Sequence, residues 1–366
     1  MSFPEGSWKA QVFRTAMARF DEYLIDRALV RRAARGAVKR RKIYCMANVD
    51  VAVLIPVYNQ ASLVLGALDS IARQSAMPRR LVVVDDGSTD GGGDAVANWM
   101  RTTRPECETS LVRQPRNGGA QAAINRGLSL VQDCRYAAAL DADDLWPADF
   151  IERAYGALAA RPEAVAATCD QLHVFDGSDE AQPIDARAIE PNATCWIFAN
   201  GIGIVSATML KTQCILDLGG VNERLRTGHD FELLLSLSLL GPWLHLPGSP
   251  AVIRRPPRHK SVEPTHLSEM YFDNQRRWAQ ICDDFIERKG GKRVVPRRLY
   301  SRTLANRWNR AGRQLFQAGR AAEARRCLLR SLRWRPWRSS VWRELLETFA
   351  GPKAATTNVE CLRTNV

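Results

Sequence analysis

The segment Leu81-Val-Val-Val-Asp-Asp-Gly-Ser-Thr-Asp90 is the most informative part of the chain for its fold class. It begins with four aliphatic residues, as a strand buried on both faces does, and continues with six residues that favour a turn. The same texture occurs earlier, where the apolar run Val51-Ala-Val-Leu-Ile55 ends at Pro56. Fully apolar strands of this kind are typical of parallel sheets whose two faces are covered by helices.

Helical patterns alternate with these strands. Apolar residues at three- and four-residue intervals predict helices and short apolar runs predict strands, in the order helix 60–74, helix 92–103, strand 109–113, helix 119–131, strand 136–140 and helix 147–160. Alternation at this spacing indicates βαβ units. We therefore predict, for residues 46–270, an α/β domain with a Rossmann-like, mostly parallel sheet and flanking helices.

Polar clusters follow three of the predicted strands, at Pro56–Asn59, Asp85–Asp90 and Asp141–Asp144. In sheets of parallel strands, ligands bind at the carboxyl ends of the strands. The three clusters are therefore expected to meet in one cleft.

The last of these clusters is acidic and follows the apolar Leu140 directly. Carboxylates on alternate residues, such as Asp141 and Asp143, can reach into one cleft and hold a hard divalent cation that bridges phosphate oxygens. Acidic turns are also common in loops that bind nothing. The second acidic pair, Asp85-Asp86, favours a ligand site, because carboxylates accept hydrogen bonds from a base or from ribose hydroxyls.

The ordered motifs resemble those of the family 2 inverting glycosyltransferases, which have the GT-A fold. The resemblance covers residues 50–262 and is carried by these segments: Val53–Asn59, Val84–Asp90, Arg116–Ala120, Asn125–Gly127, Leu140–Asp144, Gly219–Arg224, Asp230–Leu234 and Arg254–Ser261 with His259. It implies the GT-A fold for the α/β domain and transfer of a sugar from a nucleotide-sugar.

The resemblance also implies roles for individual positions. It places the nucleotide-sugar against Pro56, Tyr58, Asn59, Asp85, Asp86, Asn117, Gly118, Asp141 and Ala142. It makes Asp143 and His259 ligands of a divalent cation, Mn2+ or Mg2+, and makes Asp230 the catalytic base. It points more weakly to an acceptor site at Trp146, Asn222, Glu223 and His229, although packing is an equal expectation for Trp146.

These roles agree with the chemistry of sugar transfer. Departure of a nucleoside diphosphate requires neutralisation of charge, which a divalent cation supplies as a Lewis acid. A single carboxylate opposite the leaving group can take the acceptor's proton during in-line attack, which inverts the anomeric carbon. The expected reaction is transfer from a UDP-sugar, by default, to a hydroxyl of a glycan or lipid-linked acceptor in envelope polysaccharide biosynthesis.

Three departures from the family pattern bear on this expectation. His229 stands where the family often has an acidic residue, and Ile124 stands where it often has Arg. Processive members carry a QxxRW motif, whereas Gln275-Arg-Arg-Trp278 has one residue too few. We therefore expect transfer of a single sugar.

The charge is distributed unevenly along the 366 residues. Residues 1–45 carry 11 Lys and Arg against 4 Asp and Glu, and residues 288–366 carry 20 against 4, whereas the body between them has 21 against 31. The first segment is predicted to form a basic amphipathic helix. Both basic ends are expected to meet an anionic membrane surface or a partner protein, or else to be solvated helix faces.

Residues 271–366 are predicted to be helical and basic. Within 305–338, six residues fit the spacing of one tetratricopeptide-like repeat: Trp308, Gly312, Leu315, Ala324, Leu328 and Pro336. An ordinary helical hairpin fits equally well. Either pair must pack against the catalytic domain or a partner, because one repeat cannot bury its own face. Trp334, Trp337 and Trp342 alternate with arginines, a pattern that favours an anionic membrane.

A competing hypothesis makes the α/β domain a catalytically silent scaffold and gives the function to the basic ends, through nucleic acid or a membrane. The acidic body argues against nucleic acid, which is not expected as a partner. The amino terminus lacks the apolar core of a signal peptide. Nine scattered cysteines fit a reducing compartment. We expect a cytoplasmic protein, peripheral at the inner face of the membrane.

Overall fold

The computed structural model describes residues 46–178, 180–200, 205–255 and 274–350. The predicted N-terminal helix and His259 lie outside these residues. The described residues form two compact units: the first consists of 46–193 and 205–255, and the second of 194–200 and 274–350.

The first unit is built on one sheet. Its strands are β1 (Met46–Val57), β2 (Ala76–Asp85), β3 (Glu108–Arg113), β4 (Tyr136–Ala139), β5 (Ala166–Phe175), β6 (Ala181–Ile184), β7 (Thr208–Lys211) and β8 (Trp243–Arg255). The helices of both units, in chain order, are α1 (Val64–Ala72), α2 (Gly92–Thr103), α3 (Ala120–Leu128), α4 (Phe150–Ala160), α5 (Ala193–Asn200), α6 (Thr212–Asp217), α7 (His229–Leu237), α8 (Asn274–Glu287), α9 (Gly291–Val294), α10 (Arg297–Gln317), α11 (Ala321–Trp334) and α12 (Ser339–Ala350).

The strands lie in the order β3-β2-β1-β4-β7-β5-β6, and β8 pairs with β5. The first four strands of this order are parallel, which confirms the predicted α/β class. The β7 strand pairs antiparallel with both β4 and β5, and β6 pairs antiparallel with β5. The sheet is therefore parallel where the predicted ligand loops leave it and mixed beyond that point.

Burial explains why the apolar runs form the centre of the sheet. Residues 51–55 of β1 and 81–84 of β2 are at most 3% exposed. Val64, Leu68 and Ile71 of α1 are fully buried in the same core. Each such side chain contributes about 1.5–3 kcal/mol relative to an exposed one. These strands are consequently rigid supports for the loops at their carboxyl ends.

The second unit contains the predicted helical hairpin, formed by α10 and α11. Trp308, Leu315, Ala324 and Leu328 are at most 1% exposed. A Cβ on Gly312 would lie 2.8 Å from the side chain of Leu328, so the two helices approach closely at the glycine. Part of the face of the hairpin is covered by α8 and α12 of the same unit.

The first helix of this hairpin starts at Arg297, earlier than the predicted 305. The short helix α5, which the sequence places inside the catalytic domain, joins the second unit, where Phe198 packs on Phe285 with ring centroids 6.0 Å apart. No helix among the described residues is both long enough and apolar enough to cross a bilayer.

Candidate active site

The carboxyl ends of β1, β2 and β4 lie side by side, because these three strands are adjacent and parallel. Pro56 pairs with Val84, and Val57 pairs with Asp85. Just beyond the strands, the amide of Asp86 donates to the carbonyl of Val57 over 2.8 Å. The structure thus brings the three predicted polar clusters to one edge of the sheet.

The loops after β1 and β2 are bonded to each other. Asn59 has a positive φ of 50°, and its Oδ1 accepts from the amide of Thr89 at 2.8 Å. Asp90 accepts from the amide of Ala61 at 2.8 Å and from the amide of Gly92 at 2.9 Å, at the entrance to α2. Tyr58, which directly precedes Asn59, is 43% exposed, so its ring lies at the protein surface beside these loops.

Asp86 is buried and shapes the next loop. Its Oδ1 accepts from the amide of Gly118 at 2.8 Å and its Oδ2 accepts from the amide of Gly119 at 2.7 Å. Hydrogen bonds to a carboxylate are stronger than those between neutral groups. The predicted nucleotide contacts Asn117 and Gly118 therefore owe their position to Asp86, whose own carboxyl group is turned to the backbone.

Asp85 is also buried, at 5% exposed, and accepts from the amide of Ser88 at 2.9 Å. The turn that follows comes close to the loop before α3. Gly87 has a φ of +74°, and a Cβ on it would lie 2.9 Å from the carbonyl carbon of Arg116. Only glycine meets both the dihedral angle and the close approach without strain.

A second group of carboxylates lies at the end of β4. Burial, and after it the charges of Asp143 and Asp230, raise the pKa of Asp141 to about 7, although the charge of Arg255 lowers it. Asp144 is 3% exposed, and its Oδ1 accepts from the amide of Arg254 at 2.9 Å. Burial and the charges of Asp143 and Asp141 raise the pKa of Asp144 well above its usual range. Asp144 therefore ties β4 to β8.

Helix α7 brings Asp230 to this group. The helix starts after Gly228, whose φ is +75°, and Asp230 lies in its first turn. His229 beside it is 8% exposed, and its Nδ1 has no hydrogen-bond partner in the described part of the chain. The charge of Asp230 raises the pKa of Asp141, so the predicted base lies near the predicted metal region.

The other predicted acceptor residues have different surroundings. Trp146 is 5% exposed; its indole donates to the carbonyl of Ser206 at 2.5 Å, and its ring lies 4.5 Å from that of Phe150. Packing is the role that these contacts describe. Asn222 and Glu223 lie in the loop 219–224, where Glu223 is exposed.

Sequence reasoning missed Ser206, Arg255 and His173. The Oγ of Ser206 accepts from the amide of Asp141 at 3.1 Å. Arg255 lowers the pKa of Asp141 by its charge and donates through Nε to the Nδ1 of His173 at 3.3 Å. The other ring nitrogen of His173 then donates to Oε1 of Gln171 at 2.9 Å. For His173 a signal was available, because Gln171 and His173 are polar residues at alternate positions of the buried strand β5.

The carboxylates beyond β4 are of the chemical kind that a hard divalent cation prefers, but the described residues alone do not complete a site for one. Carboxylate oxygens are its preferred ligands, and Asp141, Asp143 and Asp230 concentrate negative charge that a cation would offset. Within 46–178, 180–200, 205–255 and 274–350, no group of three or more His, Cys, Asp or Glu is arranged to hold a metal ion. The second predicted ligand, His259, lies outside these ranges.

Comparison with known sequences gives a family. Residues 52–199 match the model of Glycosyl transferase family 2. The putative teichuronic acid biosynthesis glycosyltransferase TuaG of Bacillus subtilis (strain 168) is 31% identical over 128 residues, which are 35% of this chain and 49% of TuaG. The chain spans about half or less of the length of the curated relatives that it matches.

Solved structures share the fold. TarS 1–349 of S. aureus, in complex with UDP-GlcNAc, has a TM-score of 0.58 at 17% identity, over 82% of this chain and 89% of that one. The mannosyltransferase PcManGT from Pyrobaculum calidifontis, in complex with GDP-Man and Mn2+, has a TM-score of 0.51 at 21% identity, over 93% and 97%. The first unit thus has the GT-A fold of these structures. Residues 52–199 match Glycosyl transferase family 2, the family that the motifs resemble.

The close approach at Gly87 yields a stability prediction. Gly87→Ala should destabilise the protein by about 1–2 kcal/mol for the left-handed conformation and by about 1–3 kcal/mol more for the displaced loop backbone. Gly177→Ala is the matched control, because its φ is +69° but nothing lies within 4 Å of the new Cβ. Urea unfolding should show a clearly larger loss for Gly87→Ala; equal losses would contradict the close approach.

His173 predicts a pH dependence. Burial, and then the charge of Arg255, lower its pKa from 6.5 to about 3. Between these values the unfolded chain binds a proton that the folded protein does not, so stability is lost as the pH falls through this window. As the pH is lowered from 6.5 towards 3, the free energy of unfolding should fall more steeply in wild type than in His173→Gln, by up to about 1.4 kcal/mol per pH unit. Parallel pH profiles would contradict it.

Proposed function

We propose that this chain is a metal-dependent, inverting glycosyltransferase that transfers a single sugar from a nucleotide-sugar to a hydroxyl of a glycan or lipid-linked acceptor. The observation that carries the proposal is the convergence of Asp141, Asp143 and Asp230 beyond β4, beside the loops of β1 and β2. The family of residues 52–199 supports glycosyl transfer as the chemistry.

The donor site of this proposal lies at the ends of β1 and β2. The nucleotide would lie against Tyr58, which is exposed, and against Asn117 and Gly118, whose loop is fixed by buried Asp86. We propose a UDP-sugar as the default donor. TarS was solved with UDP-GlcNAc and PcManGT with GDP-Man, so uridine and guanosine donors are the first two to compare.

In the proposed reaction, Asp143 and His259 would hold a divalent cation, which supplies Lewis-acid stabilisation of the departing diphosphate when bound. Asp230 takes the proton of the acceptor hydroxyl as that oxygen attacks the anomeric carbon. The bond from this carbon to the diphosphate oxygen breaks, and its electron pair leaves with the nucleoside diphosphate. Attack opposite the leaving group inverts the configuration.

The proposed setting is the synthesis of envelope polysaccharide at the cytoplasmic face of the membrane. The name of the relative TuaG, a putative teichuronic acid biosynthesis glycosyltransferase, supports a surface polymer as the product. Gln275-Arg-Arg-Trp278, which is one residue short of the motif of processive enzymes, supports transfer of one sugar at a time.

The test measures donor binding and turnover separately. A panel of nucleoside-diphosphate sugars with Mn2+ or Mg2+ is read by thermal shift and by donor hydrolysis for wild type, Asp143→Ala and Asp230→Asn. Asp143→Ala should abolish the metal-dependent shift. Asp230→Asn should keep the shift and lose at least about 100-fold in turnover, as expected for a lost general base.

Glu106→Gln is the matched control, because Glu106 is an exposed carboxylate near the amino end of β3, at the opposite edge of the sheet. It should behave as wild type. Absence of any donor response in wild type would refute the proposal and leave the scaffold hypothesis.

A specific observation on the second unit supports contact with an anionic membrane. Trp337, Leu346 and Phe349 are 93%, 67% and 65% exposed. Residues 297–350, which span α10 to α12, carry 14 Arg against 3 Glu. Exposed Leu and Phe favour a lipid surface over nucleic acid, and basic residues near anionic lipid contribute about 1 kcal/mol each. We propose that this surface lies on the anionic inner leaflet.

Flotation with phosphatidylserine vesicles tests this contact. Wild type should float with these vesicles and not with phosphatidylcholine vesicles, and the pair Trp337→Ser and Leu346→Ser should reduce binding several-fold. Leu240→Ser, which alters a 47% exposed leucine of the first unit, is the control and should bind as wild type. Failure to float with phosphatidylserine vesicles, or binding to DNA in preference to these vesicles, would overturn the proposal.

A further inference from the structure

One side chain of α3 is bonded to a segment almost a hundred residues further along the chain. Nδ2 of Asn125 donates to the carbonyl of Val221 and to Oε1 of Glu223, both at 2.8 Å. Oδ1 of Asn125 accepts from the amide of Val221, also at 2.8 Å. A carboxamide has both donors and an acceptor. Asn125 uses both kinds of group at once, which neither Asp nor Leu can do.

The loop 219–224 is shaped to receive this side chain. Gly219 and Gly220 have φ values of 82° and 81°, and the amide of Gly220 donates to the carbonyl of Ile215 at the end of α6. A Cβ on Gly220 would lie 2.7 Å from Oδ1 of Asn125. The glycine therefore lets the backbone approach the amide closely, and the loop is held between α6 and α3.

The position of this loop bears on the proposed base. The loop continues through a turn, in which the amide of Leu225 donates to the carbonyl of Asn222 at 3.1 Å, and α7 with Asp230 starts at His229. At its other end, α3 follows Gly119, whose amide is bound by Asp86. Helix α3 is thus bonded to the donor-side loop at its start and to the loop before Asp230 near its end.

We propose that Asn125 is a positioning residue for sugar transfer: it fixes the loop 219–224 and so sets the place of Asp230 relative to the donor site. This inference rests on the proposed function, in which Asp230 is the base. Asn125 itself contacts no reacting atom in this account. Small displacements of a catalytic group are costly, since about 1 Å can reduce the rate 100-fold.

The test compares Asn125→Asp with Asn98→Asp. The first change removes both donated bonds and places a carboxylate against that of Glu223; the second alters an exposed asparagine of α2 whose Oδ1 accepts from Arg101. Asn125→Asp should speed amide hydrogen exchange in 219–228 at least about 10-fold and reduce kcat about 100-fold. The donor thermal shift and the KM for donor should stay unchanged, and Asn98→Asp should behave as wild type.

A second substitution keeps the test independent of folding. Adding Glu223→Gln to Asn125→Asp removes the like charge and supplies an amide donor, so exchange protection and kcat should both recover in part. Wild-type exchange and kcat in Asn125→Asp would overturn the positioning role, as would a loss of donor binding equal to the loss of kcat. If wild type itself transfers no sugar, the proposed function fails, and the positioning role fails with it; hydrogen exchange then reports the bonds alone.

Discussion

The carboxylates of Asp141, Asp143 and Asp230 repel one another beyond the end of β4, and the surrounding chain has to offset that repulsion. Asp141 and Asp143 follow one buried strand, and Asp230 belongs to a helix much later in the sequence. The charges of Asp143 and Asp230 nevertheless both raise the pKa of Asp141. Like charges in a buried setting repel, so the surrounding chain must hold them. Arg255 offsets the charge on Asp141, and the backbone amide of Arg254 donates to Asp144, which joins the loop after β4 to β8.

The sequence was informative where the pattern was local. The buried parallel strands at 51–57 and 81–85, and the polar turns after them, could be located because apolar runs and turn residues alternate there. Beyond residue 160 the antiparallel pairing of β7 with β4 and β5 could not be predicted, since register between distant strands leaves no local mark. The hairpin of α10 and α11 was found from its spacing, but its membership of one unit with α5 was not.

The candidate site shows the same division. Motif positions predicted which residues come together, whereas their roles depended on partners far away in the chain. Asp86 looked like a free ligand group, but the structure turns its carboxylate to the amides of Gly118 and Gly119. Trp146 follows the acidic cluster in sequence, yet its indole is buried against Ser206. Ser206 gave no signal, because its importance lies only in the amide of Asp141 that it accepts from.

The bonds between Asn125 and the loop 219–224 have a consequence for the order of folding. They join residues 96 and 98 positions apart, so forming them closes a loop that contains the strands β4 to β7. Contacts of such sequence separation are slow to form because a long loop must close first. The pairings among β1, β2 and β3 lie within 46–113 and close shorter loops, so we expect the donor-side strands to pair faster than the loop before the base-bearing helix docks.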